Sequence, residues 1–251
     1  MSRIQLMNIM IDNMSMQEAL DYISSIINAR KKIMVVTPNV DHIVKLEDDV
    51  RFKNAYDNSG LVLVDGTPLM WIAKWYGTPL KEKITGPRLT EKVFELASQN
   101  EFSIFILGAA DGVAKSAAQK MIEKYKNCNI VGTYSPKYGF EHDEREIKKI
   151  IETINRSKPD LLITGMGSPK TEIFLNEHLQ DLDVHVAFSV GAAIDFLAGN
   201  INRCPEWINK IGLEWFYRFL KEPKRMFKRY FIDDLKIFNI ALKYKKTERR
   251  L

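Results

Sequence analysis

Cysteine is scarce in this sequence of 251 residues, which contains Cys128, Cys204 and no other. Two cysteines so far apart exclude a disulfide-rich scaffold, and they form none of the CxxC pairs typical of zinc or redox motifs. Low cysteine usage fits a protein that works in a reducing cytosol. We therefore expect a core stabilised by apolar packing rather than by covalent or metal cross-links.

Long apolar runs are also missing. The most apolar stretch, residues 184–199, is interrupted by His185 and Asp195, so it falls short of the roughly 20 apolar residues that a membrane span needs. The first 14 residues lack an uninterrupted apolar segment and a small-residue cleavage site, which predicts that there is no secretory signal. The 45% apolar and 27% charged fractions are ordinary for a globular chain and exclude general disorder.

Positive charge is concentrated at the C-terminal end. Residues 203–251 contain 14 Lys and Arg but six Asp and Glu, a net charge of +8, whereas the whole chain carries +5. The first 202 residues are therefore net acidic, at −3. Such a basic segment predicts an anionic partner, which is a phosphate group, an anionic lipid or a nucleic acid. A solvated charged face is the alternative.

Short apolar runs rich in Val and Ile alternate with segments of helical periodicity. The runs are continuously apolar, as expected for strands covered on both faces, so the pattern predicts an α/β fold with a mostly parallel, Rossmann-like sheet. The predicted strands are Ile33–Val36, Leu61–Val64, Phe102–Leu107, Asn129–Gly132, Leu161–Thr164 and Val184–Ser189. The predicted helices are Ser15–Arg30, Val40–Tyr56, Leu89–Gln99, Gly112–Lys126, Glu144–Ser157 and Thr171–Leu179.

The pattern changes after Gly199. Residues 205–247 contain no strand-like run, are rich in aromatic and basic side chains, and are divided by Pro205 and Pro223 into short predicted helices. We expect an α/β core over residues 1–199 and a separate helical appendage over residues 200–251, which is called the basic tail below.

In parallel sheets, ligands bind at the carboxyl ends of the strands, so the residues that follow each run are candidate site residues. Asp65 directly follows the run Leu61–Val64 and precedes Gly66, which places a carboxylate at a strand tip. Partial burial raises a carboxylate pKa towards the working range of a general base. The alternative for Asp65 is an N-cap of the helix that starts near Pro68.

Other motifs carry weaker signals. The turn Gly108–Gly112 is similar to a phosphate-binding turn at a helix N-terminus but lacks the spacing of a dinucleotide fingerprint. The Asp181-Leu182-Asp183 triplet matches a metal-binding D-x-D, yet it precedes a predicted strand, at the wrong edge of the sheet. The four histidines have no metal-type spacing, so we expect no metal and no cofactor. A G-x-S-x-G signature is also absent.

Taken together, the turns resemble the WecG/TagA/CpsF glycosyltransferases over nearly the whole chain, roughly residues 8–230. In the core, the resemblance rests on Thr37-Pro38-Asn39 with Asp41-His42, Leu63-Val64-Asp65-Gly66-Thr67-Pro68, Lys83-Ile84-Thr85-Gly86, Gly165-Met166-Gly167-Ser168-Pro169-Lys170 and Phe196-Leu197-Ala198-Gly199. In the basic tail it rests on Glu214-Trp215-Phe216-Tyr217-Arg218, Glu222-Pro223-Lys224-Arg225 and Arg229-Tyr230. Several separate motifs in the right order make the resemblance specific.

The resemblance implies a metal-independent, inverting transferase that moves N-acetylmannosamine (ManNAc) from UDP-ManNAc to undecaprenyl-diphosphate-linked N-acetylglucosamine (GlcNAc), as in synthesis of the wall teichoic acid linkage unit. Asp65 matches the family's proposed base, and Thr37 and Asn39 match the neighbouring pocket residues. We expect contacts to the donor and its diphosphate from Lys83, Arg88, Gly108, Gly165, Thr171, Arg218, Arg225 and Lys228. The family implies a cytoplasmic enzyme bound peripherally to the inner face of the membrane, and a homo-oligomer stays possible at this point. It also implies that residues 1–199 are the catalytic core and that the basic tail lies near the membrane and completes the active site.

Four positions depart from the family pattern. Thr171 replaces the usual Gln before Glu172, and its hydroxyl has a shorter reach. Lys83 and Lys228 stand where Arg is frequent, so the charge is kept but the bidentate fork is lost. Arg88 stands where an acid is often found, which affects donor or acceptor contacts.

Two alternatives stay open at this point. A related transferase would use another UDP-sugar, either N-acetylmannosaminuronate or a hexose, for a different surface polysaccharide. A basic nucleic-acid-binding protein would use the tail, with an affinity that falls steeply with salt. The second alternative leaves Asp65 and the polar turns without a role, so we expect no nucleic acid as partner.

Overall fold

The computed structural model describes residues 2–201 and 235–248. A parallel six-stranded sheet forms the centre, in the order β4-β3-β8-β7-β5-β6, and a two-stranded antiparallel hairpin precedes it. The strands are β1 (Arg3–Leu6), β2 (Ile9–Asp12), β3 (Ile33–Val36), β4 (Leu61–Val62), β5 (Ser103–Gly108), β6 (Asn129–Tyr134), β7 (Leu161–Gly165) and β8 (Val186–Ser189). The predicted α/β class with a parallel, Rossmann-like sheet is confirmed.

Helices cover both faces of the sheet. They are α1 (Met16–Asn28), α2 (Val40–Lys45), α3 (Val50–Asp57), α4 (Thr67–Tyr76), α5 (Gly86–Asn100), α6 (Val113–Lys124), α7 (Glu144–Ser157), α8 (Lys170–His178), α9 (Ala193–Ala198) and α10 (Lys236–Glu248). One apolar core contains residues of α2, α3, α4, α7, α8 and α10, and the other contains residues of α1, α5, α6 and α9. Successive strand residues face opposite cores, which is why these strands read as continuous apolar runs.

One predicted helix is wrong. Val40–Tyr56 is not continuous, because α2 ends at Lys45 and α3 begins at Val50. The Asp49 carboxylate accepts the Phe52 N–H at 2.9 Å and caps α3. A side chain that satisfies the free amides of a new first turn competes with continuation of the preceding helix. The hairpin β1–β2 was not predicted either.

The C-terminal end of the basic tail packs on the sheet's α2 and α4 side. Ile237, Ile240 and Ala241 of α10 are buried, and the Tyr76 hydroxyl donates to the Ala241 carbonyl at 2.6 Å. The helical appendage predicted over residues 200–251 is thus a helix in its described C-terminal part, while its boundary with the core stays a prediction. Within residues 2–201 and 235–248, no helix is both long and apolar enough to cross a bilayer.

Candidate active site

Asp65 is fixed at the carboxyl edge of the sheet by two backbone contacts. Its own N–H donates to the Pro38 carbonyl at 2.9 Å, and its Oδ2 accepts the Gly86 N–H at 3.1 Å. The side chain is half-buried. The loop after β3, the loop after β4 and the start of α5 therefore meet at this carboxylate.

Asp65 does not cap the helix that follows it, which was its alternative role. The N-cap of α4 is Gly66, at φ 123°, and no side chain caps that helix by a hydrogen bond. The Asp65 carboxylate instead receives the first amide of α5. A negative charge at a helix N-terminus is favoured by the helix dipole, so this position suits an ionised carboxylate.

There is little room for a side chain where α5 begins. A Cβ at Gly86 would lie 3.0 Å from the Val190 carbonyl oxygen and 3.4 Å from Thr37 Oγ1. This close approach brings the buried Thr37 side chain to the same corner of the site as Asp65.

Asn39 and Lys83 complete the group around Asp65. Asn39 Oδ1 accepts the His42 N–H at 3.3 Å and caps α2, and the side chain stays half-buried at the mouth of the site. Lys83 Nζ donates to Thr67 Oγ1 at 3.4 Å, two residues beyond Asp65. Thr37, Asn39, Asp65 and Lys83 thus lie on the connected loops after β3, after β4 and before α5, and their catalytic and binding roles stay predictions.

Gly108 and Gly165 lie together at a second point of the same sheet edge. They are paired at the ends of β5 and β7, and a Cβ at Gly108 would lie 2.6 Å from the Gly165 carbonyl oxygen. The chain leaves β5 towards β6 on one side and leaves β7 towards β8 on the other. Connections that diverge in this way create the crevice where open α/β sheets bind ligands. β4 and β7 are three strand spacings apart, or about 14 Å, which suits an extended ligand.

Two other residues that were predicted to contact the donor bond to groups of the protein itself. The buried Thr171 hydroxyl accepts the Met166 N–H at 3.0 Å and donates to the Gly167 carbonyl at 3.1 Å, so it holds the turn between β7 and α8. Arg88 is exposed and pairs with Glu82 at 2.7 Å. A direct contact from either residue to a donor stays a prediction. Arg218, Arg225 and Lys228 lie outside the described residues.

The triplet Asp181-Leu182-Asp183, which matches a metal-binding motif, forms part of a surface turn. Both aspartates are exposed in the turn before β8, where Asp181 pairs with His178 at 3.6 Å. This turn lies at the amino edge of the sheet, away from Asp65. Across residues 2–201 and 235–248, no cluster of three His, Cys, Asp or Glu side chains is arranged to hold a metal ion.

A buried polar cluster beside the site was missed by sequence reasoning. Glu172 is 2% exposed, and its Oε1 accepts the Ser189 hydroxyl at 2.9 Å. His42 Nδ1 lies 4.0 Å from the same oxygen and 2.6 Å from the Tyr56 hydroxyl. The sequence contains one signal for this burial. Glu172 lies three residues before the buried Leu175, so both side chains lie on the same, apolar face of α8.

Burial controls the acid–base properties of this cluster. Loss of hydration raises the pKa of Glu172 to about 7, although a hydrogen bond from its own backbone, the Ser189 hydrogen bond and the charge of Lys45 act in the opposite direction. Burial, followed by the charges of Glu172, Asp65 and Asp41, raises the pKa of Tyr56 well above its ordinary value. Tyr56 therefore stays a neutral hydroxyl that is available for hydrogen bonding with His42.

Comparison with known proteins agrees with the motifs. The model of the glycosyl transferase WecG/TagA/CpsF family matches residues 4–251. A protein of Bacillus subtilis (strain 168) named N-acetylglucosaminyldiphosphoundecaprenol N-acetyl-beta-D-mannosaminyltransferase is 27% identical over 219 residues, covering 87% of this chain and 83% of its own. A protein of the same name from Staphylococcus aureus (strain MW2) is 24% identical over 227 residues, covering 90% and 87%.

Proposed function

The chain belongs to the glycosyl transferase WecG/TagA/CpsF family, and on this premise we propose that it transfers ManNAc from UDP-ManNAc to undecaprenyl-diphosphate-linked GlcNAc. The observation that carries the proposal is the position of Asp65, a half-buried carboxylate at a strand tip among Thr37, Asn39 and Lys83. The activity for which the two relatives are named supplies both the sugar and the lipid acceptor of this proposal.

In the proposed reaction, Asp65 acts as general base. Its carboxylate takes the proton of the attacking GlcNAc hydroxyl while that oxygen bonds to the anomeric carbon of ManNAc. The bond from the anomeric carbon to the UDP oxygen breaks on the opposite face, so the configuration inverts and UDP leaves with the bonding electron pair. The hydrogen bond from the Gly86 amide holds the carboxylate in place during the transfer.

The departing diphosphate requires positive charge. We assign this task to Lys83, whose Nζ donates to Thr67 Oγ1 at 3.4 Å, and to Arg218, Arg225 and Lys228 of the basic tail. Cationic donors aimed at developing phosphate charge replace a metal in this arrangement. Gly108 and Gly165 keep the sheet edge free of side chains, which favours this crevice for the nucleotide.

A lipid-linked acceptor also requires contact with a membrane, and an exposed surface near the site fits that partner. Trp71 and Trp75 lie one turn apart on α4, whose first residue follows Asp65 by two positions, and their exposures are 62% and 50%. Aromatic side chains such as Trp are favoured at the interface between lipid and water. We assign this surface to an anionic lipid bilayer.

The helix α10 extends the same surface. Phe238, Leu242 and Lys245 share one helix face, and the first two are 64% and 49% exposed. Lys245 Nζ donates to the Trp75 carbonyl at 2.6 Å and lies 5.0 Å from the centre of the Trp75 ring, which joins this face to α4. The joined surface of Trp71, Trp75, Phe238, Leu242 and Lys245 is called the α4–α10 surface below. Its combination of apolar and basic side chains matches an anionic leaflet.

A panel of UDP-sugars, tested on a short-chain lipid-diphosphate acceptor carrying GlcNAc, tests the proposed function. We expect UDP-ManNAc to give product with release of UDP, and the N-acetylmannosaminuronate and hexose donors to give little. Preferred use of one of those donors would replace the proposed sugar but keep the transferase. No transfer from any UDP-sugar would overturn the proposal.

A further inference from the structure

Glu172, on α8, occupies a buried position that the proposed mechanism does not use. Among the described residues, its Oε2 has no hydrogen-bond partner, and its Oε1 has the Ser189 hydroxyl as donor. A buried carboxylate that is stabilised only by neutral donors, here its own backbone N–H and the Ser189 hydroxyl, is poorly compensated in its ionised form, because an unpaired charge is costly to bury. The arrangement therefore favours a protonated Glu172.

The groups that face Glu172 come from three elements. From α2 they are His42, at 4.0 Å, and the ion pair Asp41–Lys45, whose charges oppose each other. From α3 the Tyr56 hydroxyl approaches His42, and from β8 comes Ser189. The Lys45 ammonium donates to the Asp41 carboxylate at 2.8 Å, so the negative charge of Asp41 largely offsets the positive charge of Lys45.

This cluster is connected to two residues of the proposed active site. Ser189 pairs in register with Val36, the residue before Thr37. The His42 ring belongs to the cluster, while the His42 N–H is held by Asn39 Oδ1 at 3.3 Å. A change at Glu172 therefore acts on the strand end that carries Thr37 and on the helix start that carries Asn39.

We propose that Glu172 is a positioning residue whose neutral form holds the end of β8 and the first turn of α2 so that Thr37 and Asn39 stay beside Asp65. Ionisation places a negative charge 4.0 Å from His42 Nδ1. In the proposed neutral state, the Tyr56 hydroxyl, which lies 2.6 Å from Nδ1, is the donor of the bond between them. The negative charge favours a proton on Nδ1 instead, which reverses that hydrogen bond and disturbs the start of α2. The inference rests on the proposed transferase function.

The test compares pH profiles of kcat for wild type, Glu172→Gln, Glu172→Ala and Ser189→Ala. Burial raises the pKa of Glu172 to about 7, so we expect wild-type kcat to fall severalfold on the alkaline side, with a midpoint near that pH. Glu172→Gln mimics the neutral acid and loses this limb while its kcat at pH 6 stays within about twofold of wild type. Glu172→Ala lowers kcat about tenfold or more at every pH with little change in donor KM, as expected for lost positioning.

Ser189→Ala supplies an independent outcome. The Ser189 hydroxyl stabilises the ionised carboxylate, so its removal shifts the alkaline limb to higher pH. The matched control is Glu177→Gln on the same helix, an exposed glutamate paired with Arg51, which leaves the profile unchanged. The proposal is overturned if the kcat of Glu172→Gln still falls at alkaline pH as in wild type. It is also overturned if Glu172→Ala has wild-type kcat, or if Ser189→Ala leaves the pH of the alkaline fall unchanged.

Thermal unfolding separates this inference from the proposed function. The folded-state pKa of Glu172 lies above its ordinary value, so the stability it contributes is present at low pH and is lost as pH rises to about 7. We expect the Tm of Glu172→Gln to decline less than that of wild type between pH 5 and 7.5. If no variant transfers any sugar, the proposed function fails, and this Tm difference still shows whether Glu172 titrates while buried. Identical Tm profiles overturn the inference.

Discussion

The carboxylate of Asp65 and the backbone amide of Gly86 are joined by a hydrogen bond of 3.1 Å. Asp65 ends the segment after β4, and Gly86 begins α5, so the bond ties a strand tip to a helix start across 20 intervening residues. The bond forms because Gly86 has no side chain to hold the helix away from Val190 and Thr37. The orientation of the proposed base therefore depends on a glycine that does no chemistry itself.

Gly86→Ala tests this dependence. The new Cβ would lie 3.0 Å from the Val190 carbonyl oxygen, so α5 or its neighbours must move by a few tenths of an ångström at the point where the Gly86 amide bonds to Asp65. We expect kcat to fall about tenfold, since small misplacements of catalytic groups are costly. Helix propensity favours Ala over Gly, so the loss is not one of helix stability. Gln99→Ala, an exposed position on the same helix, is the control, and equal kcat for both variants would contradict the account.

Much of this architecture was predictable because buried parallel strands leave a simple signal. Each predicted strand is present within a few residues, and α7 has the predicted bounds Glu144–Ser157. Asp65, Thr37 and Asn39 were predictable as a group because the carboxyl ends of neighbouring parallel strands meet at one edge.

The rest depended on contacts that no local pattern encodes. The bond between Asp65 and Gly86 joins two loops, and the burial of Glu172 against Ser189 requires α8 to pack on the end of β8. The break between α2 and α3 follows from the capping geometry of Asp49. The family motif predicts that Thr171 contacts the sugar donor, whereas in the structure its hydroxyl bonds to the backbone of Met166 and Gly167.

Metal independence stays a prediction and is tested with a chelator. We expect turnover to survive excess EDTA, because Lys83 and the basic tail are assigned the charge stabilisation that a divalent ion would otherwise supply. The measurement is UDP release with EDTA alone and with EDTA followed by excess Mg²⁺ or Mn²⁺. Loss of turnover with EDTA and recovery with either ion would show that a metal site exists.

Substitution of both tryptophans tests the α4–α10 surface. Trp71→Ala combined with Trp75→Ala should lower binding to phosphatidylglycerol-containing vesicles at least tenfold, and rising salt should weaken binding of the intact protein. Ile122→Ala, an exposed residue on the opposite face of the sheet, is the control. Circular dichroism checks that each variant is folded. Unchanged vesicle binding would instead indicate that another part of the chain covers or replaces this surface.

The cations of the basic tail are tested one at a time. Arg218→Ala, Arg225→Ala and Lys228→Ala should each lower kcat on a water-soluble acceptor, by about tenfold or more, because the charge on leaving UDP is less well compensated. Lys246→Ala, an exposed lysine at the end of α10, is the control. Full activity of all three variants on that acceptor would limit the tail to membrane binding.

Asp65→Asn is the most direct test of the central claim that this carboxylate is the base of a sugar transfer. The substitution keeps the shape of the side chain and an oxygen for the Gly86 amide, but it removes the group that takes the proton. Transfer of ManNAc from UDP-ManNAc to the lipid-diphosphate acceptor should fall at least ~10²-fold in kcat, while donor binding measured by calorimetry is retained. Asp57→Asn, an exposed aspartate paired with Lys53, should behave as wild type. Near wild-type turnover of Asp65→Asn would contradict the account.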